Sequence, residues 1–130
     1  GRRLLTRVRD VMRSGDDIPR VPLDATLPQA IYEISRKGLG MTAIVDEANR
    51  VAGIFTDGDL RRLLESTLDL TQVRLTDVMT RTPVTIGPDA LAAEAAEVMD
   101  RTRKSQLLVV ENGELVGAVH WLILMSAKVI

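Results

Sequence analysis

The chain carries the same pattern twice. Asp10-Val11-Met12 recurs as Asp77-Val78-Met79 at an offset of 67, and Val51-Ala52-Gly53-Ile54 recurs as Leu115-Val116-Gly117-Ala118 at an offset of 64. A three-residue difference in loop length reconciles the two. A unit of about 60 residues buries too little surface to be robust alone, so a duplicated chain of 130 residues implies two halves sharing a core. Between the anchors each half has the same order: Asp24-Ala25-Thr26 or Asp89-Ala90-Leu91, an amphipathic stretch, an apolar run, a turn, a second apolar run, and a helix start.

The first copy sets the expected elements. Pro28 suits the first turn of a helix with Thr26 or Leu27 just outside it, and Ala30, Ile31 and Ile34 recur at helical spacing until Gly38-Leu39-Gly40 ends it. Met41 to Val45 and Val51 to Thr56 are apolar, β-branched runs joined by polar Asp46 to Arg50, which predicts a hairpin. Asp57 to Glu65 then places Leu60, Leu63 and Leu64 on one helical face, with Asp57 or Asp59 near the positive end of the dipole. The second copy predicts a helix over Leu91 to Arg101, strands over Gln106 to Val110 and Leu115 to His120, and a terminal helix from about Trp121 to Lys128. Short strands are expected at Pro19 to Val21 and around Val84-Thr85-Ile86. The fold class is α/β (α+β): two βαββα units related by an approximate two-fold axis. Residues 1–9 read as a linker, 10–68 as repeat 1 and 75–130 as repeat 2.

Composition narrows the function. With 45% hydrophobic and 27% charged residues, the chain has the makeup of a globular protein. Seventeen basic against 18 acidic residues, net −1, provide no cationic excess for a nucleic-acid backbone or an anionic membrane. The absence of cysteine excludes disulfides, a thiol nucleophile and a thiolate metal site, and suits a reducing cytoplasm. The longest apolar stretch, Val116 to Met125, is too short to span a bilayer.

The order DVM, short strand, helix, hairpin and Gly53-Ile54-Phe55-Thr56-Asp57-Gly58-Asp59-Leu60 resembles the cystathionine-β-synthase (CBS) domain, which occurs as tandem pairs binding adenosyl or cytidyl ligands. The resemblance covers nearly the whole chain. Gly1 to Leu5 leading into the first DVM, Gly38 to Thr42, and Gly53 to Arg62 are similar, more narrowly, to the C-terminal half of arabinose-5-phosphate isomerases. That resemblance implies a preceding sugar-isomerase (SIS) domain that performs the chemistry, on the route to the lipopolysaccharide sugar Kdo. It also implies a regulatory role for the present residues.

Thr56 ends a strand and offers a hydroxyl, while the following helix start offers backbone N–H groups, so an anion is favoured there. Gly58 admits close approach of a ligand. Asp59 can accept hydrogen bonds from two adjacent hydroxyls, the use that the resemblance implies on a ribose. Equally, Thr56, Asp57 and Asp59 can simply cap the helix. The resemblance places a nucleotide base against Ile18, Pro19, Val21, Met41 and Thr42; each is also an ordinary core or strand residue.

The second copy departs from this pattern. His120 stands where Thr56 does and Ile123 where Asp59 does, so the ribose carboxylate is missing. His120 can still bond a phosphate or sugar acid or serve structurally, and Trp121 can stack on a ligand, pack, or contact a second copy. Arg61 and Arg62, and Arg103 and Lys104, either neutralise an acidic ligand or form a solvated helix face, with Arg61 and Glu65 an i,i+4 pair. Gly38-Leu39-Gly40 lacks the third glycine of a dinucleotide fingerprint and follows a helix.

Two readings of function result. In one, the module senses a nucleotide-type metabolite, with CMP-Kdo or an adenine nucleotide (AMP or ATP) implied by the resemblance, and biases a partner catalytic domain. In the other it binds nothing and holds an oligomer together, a homodimer being expected, with Leu122, Leu124 and Met125 of the last helix as the contact. Catalysis by the chain itself is not expected: Asp57 and Asp59 have no second cluster, and there is one histidine. No metal site or cofactor is indicated.

Overall fold

The computed structural model describes residues 4–66 and 69–130; the ends of the expected linker and first repeat at 1–3 and 67–68 lie outside them. In chain order the elements are α1 (Val8–Val11), a 3-10 turn (Gly15–Asp17), β1 (Arg20–Pro22), α2 (Leu27–Lys37), β2 (Met41–Val45), β3 (Val51–Thr56) and α3 (Asp57–Ser66). A second 3-10 turn (Leu70–Gln72) leads into α4 (Leu75–Val78), β4 (Thr85–Ile86), α5 (Ala92–Thr102), β5 (Gln106–Glu111), β6 (Glu114–His120) and α6 (Trp121–Ser126).

Each copy builds one three-stranded sheet, β1-β2-β3 or β4-β5-β6, whose first pair is parallel and second antiparallel. Both hairpins carry a register shift at the same place, between Ile44 and Val45 and between Val109 and Val110. The first hairpin has the expected bounds. The short strand of copy 1 sits one residue later than expected, because Pro19 contributes only its carbonyl, accepting from the Ala43 N–H at 2.9 Å.

Local chemistry explains α2. Thr26 accepts from the Gln29 N–H at 3.2 Å, and the Gln29 side chain accepts from the Thr26 N–H at 2.9 Å, a reciprocal box that satisfies two orphan donors. Gly38 closes the helix at φ 74°, a left-handed conformation that costs glycine nothing.

The contacts form two compact units, and the chain crosses between them. One comprises the segment up to Ile18 with Val84–Ile130, the other Pro19–Pro83. Hence the first DVM packs on the hairpin of copy 2, and the second DVM on the hairpin of copy 1. Arg13 exchanges two backbone hydrogen bonds with Ala118 (2.8 and 3.1 Å), and Thr80 two with Ile54 (both 2.9 Å). Each bridge passes directly over the repeated glycine: a Cβ on Gly53 would lie 2.7 Å from Met79 Sδ and 2.8 Å from Thr80 O, and one on Gly117 would lie 2.9 Å from Arg13 O. The two sequence anchors of the duplication are therefore each other's packing partners.

The unit around β1–β3 has a core of Phe55, Leu27, Ile44, Leu75 and neighbours; the other has Val8, Met99, Leu107, Val119, Leu124 and neighbours. On α3, Leu60 and Leu63 pack against the first core, whereas Leu64 is 46% exposed, so the apolar face is narrower than the three leucines implied. The last helix also differs from expectation. It stops at Ser126, because Lys128 turns left-handed (φ 62°) and the N–H groups of Lys128 and Val129 reach back to Met125 O and Leu124 O. Leu124, expected as an exposed contact, is fully buried, while Leu122 and Met125 are exposed.

One buried charge orders the unit around β1–β3. Glu33 on α2 accepts from the Arg20 N–H of β1 (3.1 Å), Lys37 Nζ (2.9 Å) and the Arg36 guanidinium (3.1 Å). Burial pushes its carboxyl up, but the Lys37, Arg20 and Arg36 hydrogen bonds outweigh this and hold it below its ordinary value of 4.5. A carboxyl whose folded value is depressed stabilises the fold above its unfolded value, and this contribution is lost as pH falls through the folded value. Glu33→Gln is expected to cost about 1–3 kcal/mol at pH 7 and to flatten the stability loss below pH 4.5; urea titrations at pH 7 and pH 4 check both.

Among the described residues no helix is long and apolar enough to cross a membrane, and no cluster of three His, Asp or Glu could hold a metal ion.

Candidate ligand-binding site

The junction of β3 and α3 gathers most of the residues singled out in copy 1. Thr56 Oγ1 accepts from the Asp59 N–H at 3.1 Å, and Asp59 Oδ2 accepts from the Thr56 N–H at 3.0 Å. This is the capping arrangement that the sequence left open. It does not exhaust the pair. The Thr56 hydroxyl still has a proton to donate, and each Asp59 oxygen retains acceptor capacity, on a carboxylate 14% exposed. The cation beside it is Arg62, ion-paired to Asp59 Oδ1; Arg61 is exposed.

Asp57 and Gly58 complete the turn. The Asp57 N–H donates to Gly40 O at 2.9 Å, and its carboxylate lies over Gly40, 3.4 Å from where a Cβ would stand. At Gly58 a Cβ would meet Arg62 and Thr56 at 3.5–3.7 Å, ordinary contact. A cleft of about 350 Å³ opens beside this turn, lined by Ile31, Ile34, Ser35, Gly38, Gly40, Asp57 and Leu60.

The residues expected against a base are buried. Ile18, Val21, Met41 and Thr42 are at most 7% exposed, Pro19 is also buried, the Val21 side chain belongs to the core cluster, and the Thr42 hydroxyl donates to Ala43 O. Met41 pairs with Thr56 across the hairpin, which brings the Met41–Thr42 strand start to the Thr56 end. Ile18, Lys104 and His120 belong to the other unit.

In that unit His120 occupies the capping position. Its Nδ1 accepts from the Leu122 N–H at 3.0 Å, which places the ring proton on Nε2. Burial, aided by Arg13, pushes its pKa down, favouring the neutral ring that this bond requires. Ile123, at the position of Asp59, packs against the core. A second cleft, of about 500 Å³, is lined by Met99, Asp100, Arg103, Lys104, Ser105 and Trp121.

Sequence reasoning missed Arg62 as the partner of Asp59, although their i,i+3 spacing signals it. It also missed the Asp57–Gly40 contact, which joins residues from the two ends of the hairpin and has no local signal.

The model of the CBS domain family matches residues 8–66 and 75–129. The chain belongs to the CBS domain family. This CBS pair is 43% identical over 130 residues to the arabinose 5-phosphate isomerase KdsD of Yersinia pestis, covering all of the chain but 40% of that protein. The pair therefore spans about two fifths of that relative. Among solved structures it resembles the CBS domain pair of protein MJ0100 in complex with 5′-methylthioadenosine and S-adenosyl-L-methionine (TM-score 0.83, 21% identity, 94% of each chain). It also resembles CBSX2 in complex with AMP (TM-score 0.78, 21% identity, 94% of this chain and 95% of that one). These likenesses establish the fold. The two matched segments together account for most of the chain.

Proposed function

We propose that this CBS pair is the regulatory part of an arabinose-5-phosphate isomerase in Kdo and lipopolysaccharide synthesis, and that it senses a nucleotide-type metabolite through the β3–α3 turn of copy 1. The observation that carries the reading is the Thr56–Asp59 pair: its reciprocal bonds hold a hydroxyl donor and a carboxylate acceptor in fixed geometry at a strand end, the chemistry a ribose diol and its phosphate need. Two supports come from relatives: CBS pairs of this fold are known with AMP and with adenosyl ligands, and the KdsD likeness supplies the isomerase. CMP-Kdo, as an activated end product, and AMP or ATP are the candidate ligands. Copy 2, with His120 and Ile123 at the equivalent positions, lacks the carboxylate and is a degenerate site.

In the competing reading, a homodimerising module without ligand, the exposed Leu122 and Met125 of α6 provide the contact. A thermal-shift panel of CMP-Kdo, CMP, AMP, ATP and arabinose 5-phosphate separates the two. A ligand at about a hundred times its dissociation constant adds roughly 2.7 kcal/mol, worth several degrees in a domain of this size. Stabilisation by one nucleotide is expected. No shift with any compound favours the assembly reading.

A further inference from the structure

The clefts of the two units occupy the same place in the repeat and have opposite chemistry. In each, the residue opening the second helix donates its N–H to the carbonyl just before the first hairpin strand: Asp57 to Gly40 O at 2.9 Å, Trp121 to Ser105 O at 2.8 Å. In each, a left-handed residue closes the preceding helix, Gly38 at φ 74° and Arg103 at φ 56°. The backbone is repeated and the lining is not. Gly38, Leu39, Gly40 and Asp57 of copy 1 become Arg103, Lys104, Ser105 and Trp121 in copy 2, while the anchor glycines and DVM segments are kept.

Arg103 holds a conformation that favours glycine or asparagine and strains other residues. The turn lets the Arg103 and Lys104 N–H groups reach back to Asp100 O and Met99 O and close α5, but neither side chain is used there: both residues are exposed, and neither is ion-paired among the described residues. Beside these two cations the cleft offers the Ser105 hydroxyl, the exposed Asp100 carboxylate and the half-buried Trp121 ring. Paired cations suit a phosphate or carboxylate. A carboxylate and a hydroxyl suit neighbouring sugar hydroxyls, and an indole face suits the C–H face of a sugar ring.

From this juxtaposition we infer that the Arg103–Lys104–Trp121 cleft is a binding site for a monosaccharide bearing one anionic group, separate from the β3–α3 turn. The cations hold the anion, Asp100 and Ser105 take hydroxyls, and Trp121 covers the ring. The inference does not depend on the nucleotide reading, since no residue is shared.

Trp121 is the one tryptophan of the chain, so its fluorescence reports this cleft directly. The test titrates the chain with arabinose 5-phosphate, glucuronate, arabinose and inorganic phosphate, for the parent and for Arg103→Gly and Lys104→Ala. Arg103→Gly keeps the left-handed turn, so a folded variant is assured. A saturable change is expected with arabinose 5-phosphate or with glucuronate, the one identifying a phosphate site and the other a carboxylate site. Arabinose and inorganic phosphate are expected to bind at least tenfold more weakly, and each substitution to weaken the anionic sugar at least tenfold. The inference is overturned by silence with both anionic sugars, by inorganic phosphate binding equally well, or by undiminished binding in both variants. The fluorescence readout and the nucleotide thermal shift fail separately, so loss of one leaves the other reading standing.

Discussion

Replacing Gly53 with valine should lower the melting temperature by about 10 °C, the shift corresponding to roughly 2–3 kcal/mol in a domain of this size. The Cβ alone would stand 2.7 Å from Met79 Sδ and 2.8 Å from Thr80 O. The sulfur can swing aside, but the carbonyl cannot move without breaking the paired Ile54–Thr80 hydrogen bonds. A double variant, Gly53→Val with Met79→Ala, should recover only part of the loss, because the backbone clash remains. Gly117→Val should behave alike, since Arg13 O lies 2.9 Å from that Cβ position. Full recovery with Met79→Ala, or a change under 1 kcal/mol for both glycine variants, would contradict the packing of each DVM segment on a hairpin glycine.

The second large effect lies in α6. Leu124 has no exposed surface and sits in the core with Val8, Met99, Leu107 and Val119, so Leu124→Ala should cost about 2–5 kcal/mol. Leu122, two residues earlier and 62% exposed, should tolerate alanine within about 0.5 kcal/mol. Urea unfolding of the two variants measures the contrast. Sensitivity of Leu122 comparable to Leu124 would show that its face is covered in solution, as a dimer through α6 requires.

These two sites also show where the sequence was legible. The bounds of the first hairpin and α2 could be read because their signals are local: apolar β-branched runs, Pro28 in a first helical turn, a glycine stop. The repeated glycines and DVM segments were visible as a duplication, but their contact was not, since each pairs with the anchor of the other copy and no local pattern signals it. Leu124 was misassigned because Trp121 to Met125 is apolar at every position; in under two turns no periodicity separates the faces. Glu33 escaped notice because its i,i+3 and i,i+4 partners read as an ordinary surface set, while the Arg20 N–H that draws it inside comes from another strand. At the site, the roles of Thr56 and Asp59 as caps and as ligand groups looked exclusive in sequence. The geometry makes them compatible: the cap uses one acceptor site of each and Arg62 one more on Asp59, which leaves the Thr56 hydroxyl proton and further carboxylate lone pairs.

The most direct test of the central claim is calorimetric titration of AMP and of CMP-Kdo into the chain and into Asp59→Asn. Asparagine keeps an oxygen for the Thr56 N–H and so preserves the cap, while removing the charge that would receive a diol. The account predicts one saturable site per chain for one of these nucleotides, weakened at least tenfold by the substitution. Binding of equal strength in Asp59→Asn, or no heat from either nucleotide, would contradict it.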